Sequence, residues 1–128
     1  MKKLRVLIVD DSSVMRKIVE RSLRQAGIEL GDVVEAGNGA DALAEAKKIR
    51  PDFIMTDINM PVMDGLEFLK CLSEVASAKG VPVVMITTEG SEDRVVEALS
   101  LGASGYIRKP FTAEQVKERL LPLVGSLS

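Results

Sequence analysis

Five short apolar runs alternate with five longer amphipathic segments along this 128-residue chain, and few folds tolerate that alternation. The runs are Leu4 to Val9 (LRVLIV), Val33 to Ala36, Pro51 to Thr56 (PDFIMT), Pro82 to Thr87 and Gly105 to Lys109. After the first, Met15, Ile18, Val19, Ser22, Leu23 and Ala26 form a helical stripe, with Lys17, Glu20, Arg21 and Arg24 facing away and Gly27 as a stop. The turn Gly37-Asn38-Gly39 leads into a second helix that carries Leu43, Ala46 and Ile49 inward. Asp64 is placed to N-cap a third, buried through Leu66, Leu69, Leu72 and Val75. The fourth is expected from about Glu92 to Leu101, and the fifth after Phe111-Thr112. Pro122 is expected to end or bend that last helix near Leu121, since an interior proline costs ~3 kcal/mol. No repeat, low-complexity stretch or linker interrupts the pattern, so residues 1–128 are expected to form one domain.

Units of this length imply an α/β fold, a parallel sheet doubly wound by helices on both faces. The expected form is flavodoxin-like (βα)5 with strand order 2-1-3-4-5, in which ligands bind beyond the carboxyl ends of strands 1 and 3. Those ends carry unusual residues. The first run stops at Asp10 and Asp11, the third at Asp57, the fourth at Thr87 and the fifth at Lys109. Parallel neighbours would bring all five to one rim.

Composition narrows the chemistry. A net charge of -2 and a pI near 5.2 argue against nucleic acid or an anionic membrane surface as partner. The single cysteine, Cys71, excludes an internal disulfide and suits a reducing cytoplasm. No stretch approaches the ~20 apolar residues of a membrane span, and MKKLRVLIVDD turns acidic too soon for a signal peptide. With no histidine, imidazole catalysis and imidazole metal ligation are closed off.

Three carboxylates at one rim repel, so the site must take up protons or bind a cation. Oxygen-only ligands, few and open to solvent, fit Mg²⁺ better than zinc or a caged Ca²⁺. With the Thr87 hydroxyl and Lys109 added, the set matches phosphoryl transfer to a carboxylate. That chemistry needs a nucleophilic oxygen, a neutralising metal and donors at the developing charge. Asp57, central to the group, is the expected nucleophile. Nucleotide or flavin binding fits less well, because Asp10-Asp11-Ser12-Ser13 replaces the glycine-rich turn that would receive a pyrophosphate. Met55, Met63 and Met85 read as packing, Asp64 as a cap, and Pro61, Gly65 and Gly102 as turn-shaping residues. Thr87 or Tyr106 alone would be unremarked in a strand. Three acids and a lysine together at rim positions have no packing rationale.

The segments VLIVDDS, TDINMPVMDG, VMITT and YIRKPF, in this order and spacing, resemble the receiver domains of two-component response regulators over essentially the whole chain. Within that family the chain is most similar to single-domain chemotaxis regulators of the CheY type. The resemblance implies that Asp57 is phosphorylated by a histidine kinase, in a domain that assists its own phosphorylation and dephosphorylation without being an enzyme. It implies Mg²⁺ held by Asp10, Asp11, Asp57 and the Asn59 backbone carbonyl, and phosphoryl oxygens contacted by Thr87 and Lys109. Tyr106 matches the family's aromatic switch, and Lys109-Pro110 a bond typically cis there. The implied output is a surface of helix 4, strand 5 and helix 5, including Arg94, Arg108 and Lys117. A flagellar motor switch protein is the usual chemotaxis target. The implied protein is cytoplasmic and monomeric, with at most transient pairing. Only about four residues follow Val124, where transcriptional members carry a DNA-binding domain. Thr88 stands where the family has mostly Ala or Gly, a bulk expected to hinder attacking water, and Asn59 and Glu89 occupy positions that tune phosphoryl lifetime. Two alternatives stay open. One is a phosphorelay intermediate serving a histidine phosphotransfer protein. The other is an Asp-nucleophile phosphatase of the haloacid dehalogenase type, weakened by Asn59 where such enzymes place a second acid.

Overall fold

The computed structural model describes residues 3–88 and 92–125; Glu89 lies outside them. Its elements are β1 (Leu4–Val9), α1 (Ser13–Gln25), β2 (Leu30–Ala36), α2 (Gly39–Lys48), β3 (Phe53–Asp57), α3 (Gly65–Leu72), a short 3₁₀ turn (Ala76–Ala78), β4 (Val83–Thr87), α4 (Glu92–Ser100), β5 (Gly105–Arg108) and α5 (Ala113–Val124). The strands form one sheet in the order β2-β1-β3-β4-β5, with every neighbouring pair parallel. The expected flavodoxin-like α/β arrangement is therefore the one found.

Strand residues alternate between two apolar cores, which is why the runs are continuously hydrophobic. Leu7, Val9, Ile54 and Met85 face α2, α3 and α4 through Ala42, Ala46, Phe68, Leu69 and Ala98. Val6, Ile8, Phe53, Met55 and Ile86 face α1 and α5 through Val19, Leu23, Val116 and Leu120. Register puts Val9 beside Thr56 and Asp57 beside Ile86, so strands 1, 3 and 4 end nearly level. Side-chain caps fix where three helices start at that same edge. Ser12 accepts from the Met15 N–H, Asn38 from Asp41 and Asp64 from Glu67. Thr112 and Gln115 form a reciprocal capping box on α5.

Several local expectations are corrected. Ile18 is exposed, so within α1 the buried stripe is Val19 and Leu23, with Met15 packed partly against the core and Ala26 buried at the C-cap. Ala42 rather than Ile49 fills the inner face of α2 beside Ala46; Ile49 is the half-buried C-cap. Val75 lies past the end of α3, packed loosely on the core. β2 starts at Leu30, three residues earlier than expected, because Leu4 pairs with Leu30. Pro122 does not end α5. The helix runs on to Val124, whose burial beside Leu120 holds the last turn in place against the lost hydrogen bond.

Candidate phosphoryl and metal site

The carboxyl edge of the sheet gathers Asp10, Asp11, Asp57 and Lys109. One carboxylate oxygen from each of the three acids lies within 4.8 Å of the others. Asp10 is buried and Asp57 partly so, whereas Asp11 faces solvent. Lys109 reaches in from the end of β5, its Nζ 3.3 Å from Asp10 Oδ2 and 3.6 Å from Asp57 Oδ2. Its backbone N–H donates to the Thr87 carbonyl at 2.7 Å, so the ends of β4 and β5 are tied at this point. The Lys109–Pro110 bond is cis, as the resemblance implies.

Asp57 ends β3 with its two oxygens in different surroundings. Oδ1 accepts the Ile58 N–H at 2.8 Å, while Oδ2 turns toward Lys109. Burial pushes its carboxyl above the ordinary carboxylate range. Lys109 opposes that shift, the Asp10 charge adds to it, and the Ile58 and Asn59 N–H groups also oppose it. A carboxylate so placed gains from any cation that enters between it and Asp10.

Thr87 is buried at the end of β4, its hydroxyl donating to the Thr88 carbonyl at 3.1 Å. Asn59 sits exposed on the loop after β3, two residues from Asp57. Tyr106 lies deeper along β5, level with Met85 rather than with the strand ends. Its ring carries the Arg119 guanidinium 5.2 Å from the centroid, beside a groove of about 320 Å³ that Arg108 and Gln115 also line. The structure thus gathers the three acids, sets Lys109 against Asp10 and Asp57, places Thr87 at the rim and leaves Tyr106 behind it. Arg94 pairs with Asp64 at 3.0 Å and Arg108 with Glu92 at 3.5 Å.

The donor set suits Mg²⁺. At Mg–O distances of ~2.1 Å, octahedral ligand oxygens lie roughly 3 to 4.2 Å apart, so a spread of 4.8 Å needs only a small closure. Among these groups all donors are oxygens and one flank is open to solvent, where such an ion keeps its waters.

Two supporting residues escaped the sequence. Gly65 is not a turn former; a Cβ there would collide with the Asp57 carbonyl oxygen and lie 3.0 Å from Ile58 Cα. Arg16, on α1, donates through Nη1 to the Asp10 carbonyl at 2.6 Å. Neither contact follows from spacing along the chain.

Residues 6–121 match the family model described as the response regulator receiver domain. The chain is 44% identical over 119 residues to chemotaxis protein CheY-3 of Vibrio cholerae, covering 93% of this chain and 90% of that one. Among solved structures it is similar to the chemotaxis response regulator CheY4 of Vibrio cholerae, with TM-score 0.82, 40% identity and coverage of 94% and 98%. It is also similar to the receiver domain of sensor histidine kinase PA1611 from Pseudomonas aeruginosa, with TM-score 0.82, 25% identity and coverage of 97% and 99%. That structure has a magnesium ion coordinated in its active site cleft.

Proposed function

The chain belongs to the response regulator receiver domain family, of the CheY type, and on that premise we propose that residues 1–128 form one receiver acting as a phosphorylation-dependent switch. A histidine kinase is the phosphodonor. Asp57 is the acceptor, and Asp10, Asp11, Asp57 and the Asn59 carbonyl hold Mg²⁺. The observation that carries this reading is the convergence of three carboxylates with Lys109 bridging two of them.

In the transfer, a carboxylate oxygen of Asp57 attacks phosphorus as the bond from phosphorus to the donor's imidazole nitrogen breaks. The freed nitrogen keeps its electron pair. Mg²⁺, when bound, neutralises charge on the transferred oxygens. Lys109 supplies a fixed cation on the same side, and its two acidic neighbours keep it aimed. Thr87 turns its hydroxyl from the Thr88 carbonyl to a phosphoryl oxygen, exchanging a bond to a neutral acceptor for a stronger one to a charged acceptor. The Thr87 carbonyl accepts from the Lys109 N–H, so the two sensing residues are tied to each other through the backbone. The output surface is α4, β5 and α5 with Tyr106. Its target is a protein such as the flagellar motor switch, a role supported by the chemotaxis relatives.

The test is intact-protein mass spectrometry after incubation with acetyl phosphate, with Mg²⁺ or with EDTA, on wild type and Asp57→Asn. One added phosphoryl group that requires both Mg²⁺ and Asp57 is expected. Equal labelling of Asp57→Asn would remove Asp57 as the acceptor. No adduct on wild type, together with no beryllofluoride binding, would leave a receiver fold that works without phosphorylation.

A further inference from the structure

Asp10 leaves the sheet with all its polar atoms engaged. Its N–H donates to the Ala36 carbonyl at 3.1 Å, Oδ1 accepts the Ser12 N–H at 2.9 Å, and Oδ2 faces Lys109 at 3.3 Å. The fourth contact is the unusual one. β1 has ended at Val9, so the Asp10 carbonyl lies past the strand ladder. Its donor at 2.6 Å is a side chain, Nη1 of Arg16, one turn into α1.

Arg16 is itself clamped. Its Nε donates to Glu35 Oε1 at 2.9 Å, and Glu35, next to last in β2, also takes Lys17 Nζ on Oε2 at 2.9 Å. The Arg16 side chain is only 19% exposed, so this guanidinium is held in place rather than waving in solvent. Hydrogen bonds from Lys17 and then Arg16 lower the Glu35 carboxyl below its ordinary value. The planar fork of an arginine can serve Glu35 and the Asp10 carbonyl at once; an ammonium is a point donor with no such geometry.

We propose that Arg16, anchored by Glu35, is a positioning residue for the metal site: by holding the Asp10 peptide it sets the direction in which the Asp10 and Asp11 carboxylates meet Asp57. The inference rests on the Mg²⁺ reading above. It predicts a sign opposite to that of simple charge. A cation beside three carboxylates repels Mg²⁺ through space, so removing Arg16 would tighten Mg²⁺ binding if charge were all it contributed. If Arg16 positions Asp10, removing it weakens binding.

The experiment is Mg²⁺ titration by calorimetry of wild type, Arg16→Gln, Arg16→Lys, Glu35→Gln and the Arg16→Gln/Glu35→Gln double variant, with thermal unfolding in EDTA to confirm that each is folded at the titration temperature. Arg16→Gln is expected to weaken Mg²⁺ by roughly tenfold, the scale of a lost ligand-orienting contact. Arg16→Lys recovers part of that loss. The double variant binds no more weakly than Arg16→Gln, because both changes break one chain of contacts. Arg16→Gln binding Mg²⁺ as tightly as wild type, or more tightly, overturns the inference. Should Arg16→Gln fail to fold, Arg16→Lys decides: weaker binding supports positioning, and equal or tighter binding overturns it. Wild type that binds no Mg²⁺ overturns the metal reading and this inference together, whereas normal wild-type binding with unaffected variants overturns this inference alone.

Discussion

Gly65 lies against the backbone of Asp57 so closely that a methyl group on its Cα would overlap the Asp57 carbonyl oxygen. The Gly65 N–H also donates to the Ile58 carbonyl at 2.7 Å, so the first residue of α3 is stitched to the strand end that carries the acceptor. Ile58 Cα, 3.0 Å from the same point, is backbone like the Asp57 carbonyl and cannot swing aside, whereas Met85 Cε at 3.1 Å is the end of a flexible side chain. Gly65→Ala is therefore expected to cost about 1–3 kcal/mol, the range for overpacking, and to slow phosphoryl uptake by shifting Asp57. Denaturant unfolding and the acetyl phosphate assay measure the two effects separately.

Asp57 should destabilise the metal-free protein at neutral pH. Burial, with Asp10 nearby, raises its folded value above the ordinary one of ~4, so the folded form binds the proton more tightly than the unfolded form. Stability from this group is then greatest below the unfolded value and falls as pH rises through the folded one. Asp57→Asn in EDTA is expected to melt a few degrees higher than wild type near neutral pH, with the difference vanishing below about pH 4. Calorimetric melting across that window checks it.

Lys109→Ala removes the cation shared by Asp10 and Asp57. Metal-free melting temperature is expected to fall, because two close carboxylates lose their compensating charge. Mg²⁺ affinity is expected to rise severalfold, since the ion no longer competes with an ammonium. Phosphorylation should no longer change the α4-β5-α5 surface. Amide shifts of α4 and β5, recorded with and without beryllofluoride, report the last effect.

Asp64→Ala strips the N-cap of α3 and the partner of Arg94 in one step. Loss of the cap is expected to cost about 1 kcal/mol, and the half-exposed ion pair adds little. The melting temperature should drop by roughly 3–4 °C while the phosphorylation site stays intact. Unchanged stability would mean that another group caps α3.

Residue patterns carried the class of fold and the acids of the site. Strands buried on both faces must be apolar throughout, and the helices between them need one apolar face, so alternation was visible without coordinates. Asp10, Asp11, Asp57 and Lys109 stood out because charged groups directly after such strands have no packing rationale. What the pattern blurred were faces and ends. Spacing alone puts Ile18 on the buried stripe of α1, yet Val19 and Leu23 suffice to meet the sheet and leave it exposed. Local propensity predicts that Pro122 ends or bends α5, while the burial of Val124 that keeps the last turn is not local.

By itself the sequence determined the parallel α/β class and which charged residues end the strands, since these follow from periodicity and from where charge interrupts it, whereas the pairing of β1 with both β2 and β3 belongs to the assembled sheet. Tertiary structure alone decided the close approach of Gly65 to Asp57, the bridge of Lys109 to Asp10 across 99 residues, and the hold of Arg16 on the Asp10 carbonyl. Those contacts depend on distances of a few ångströms between separate strands and helices, which packing fixes and no spacing along one strand or helix records.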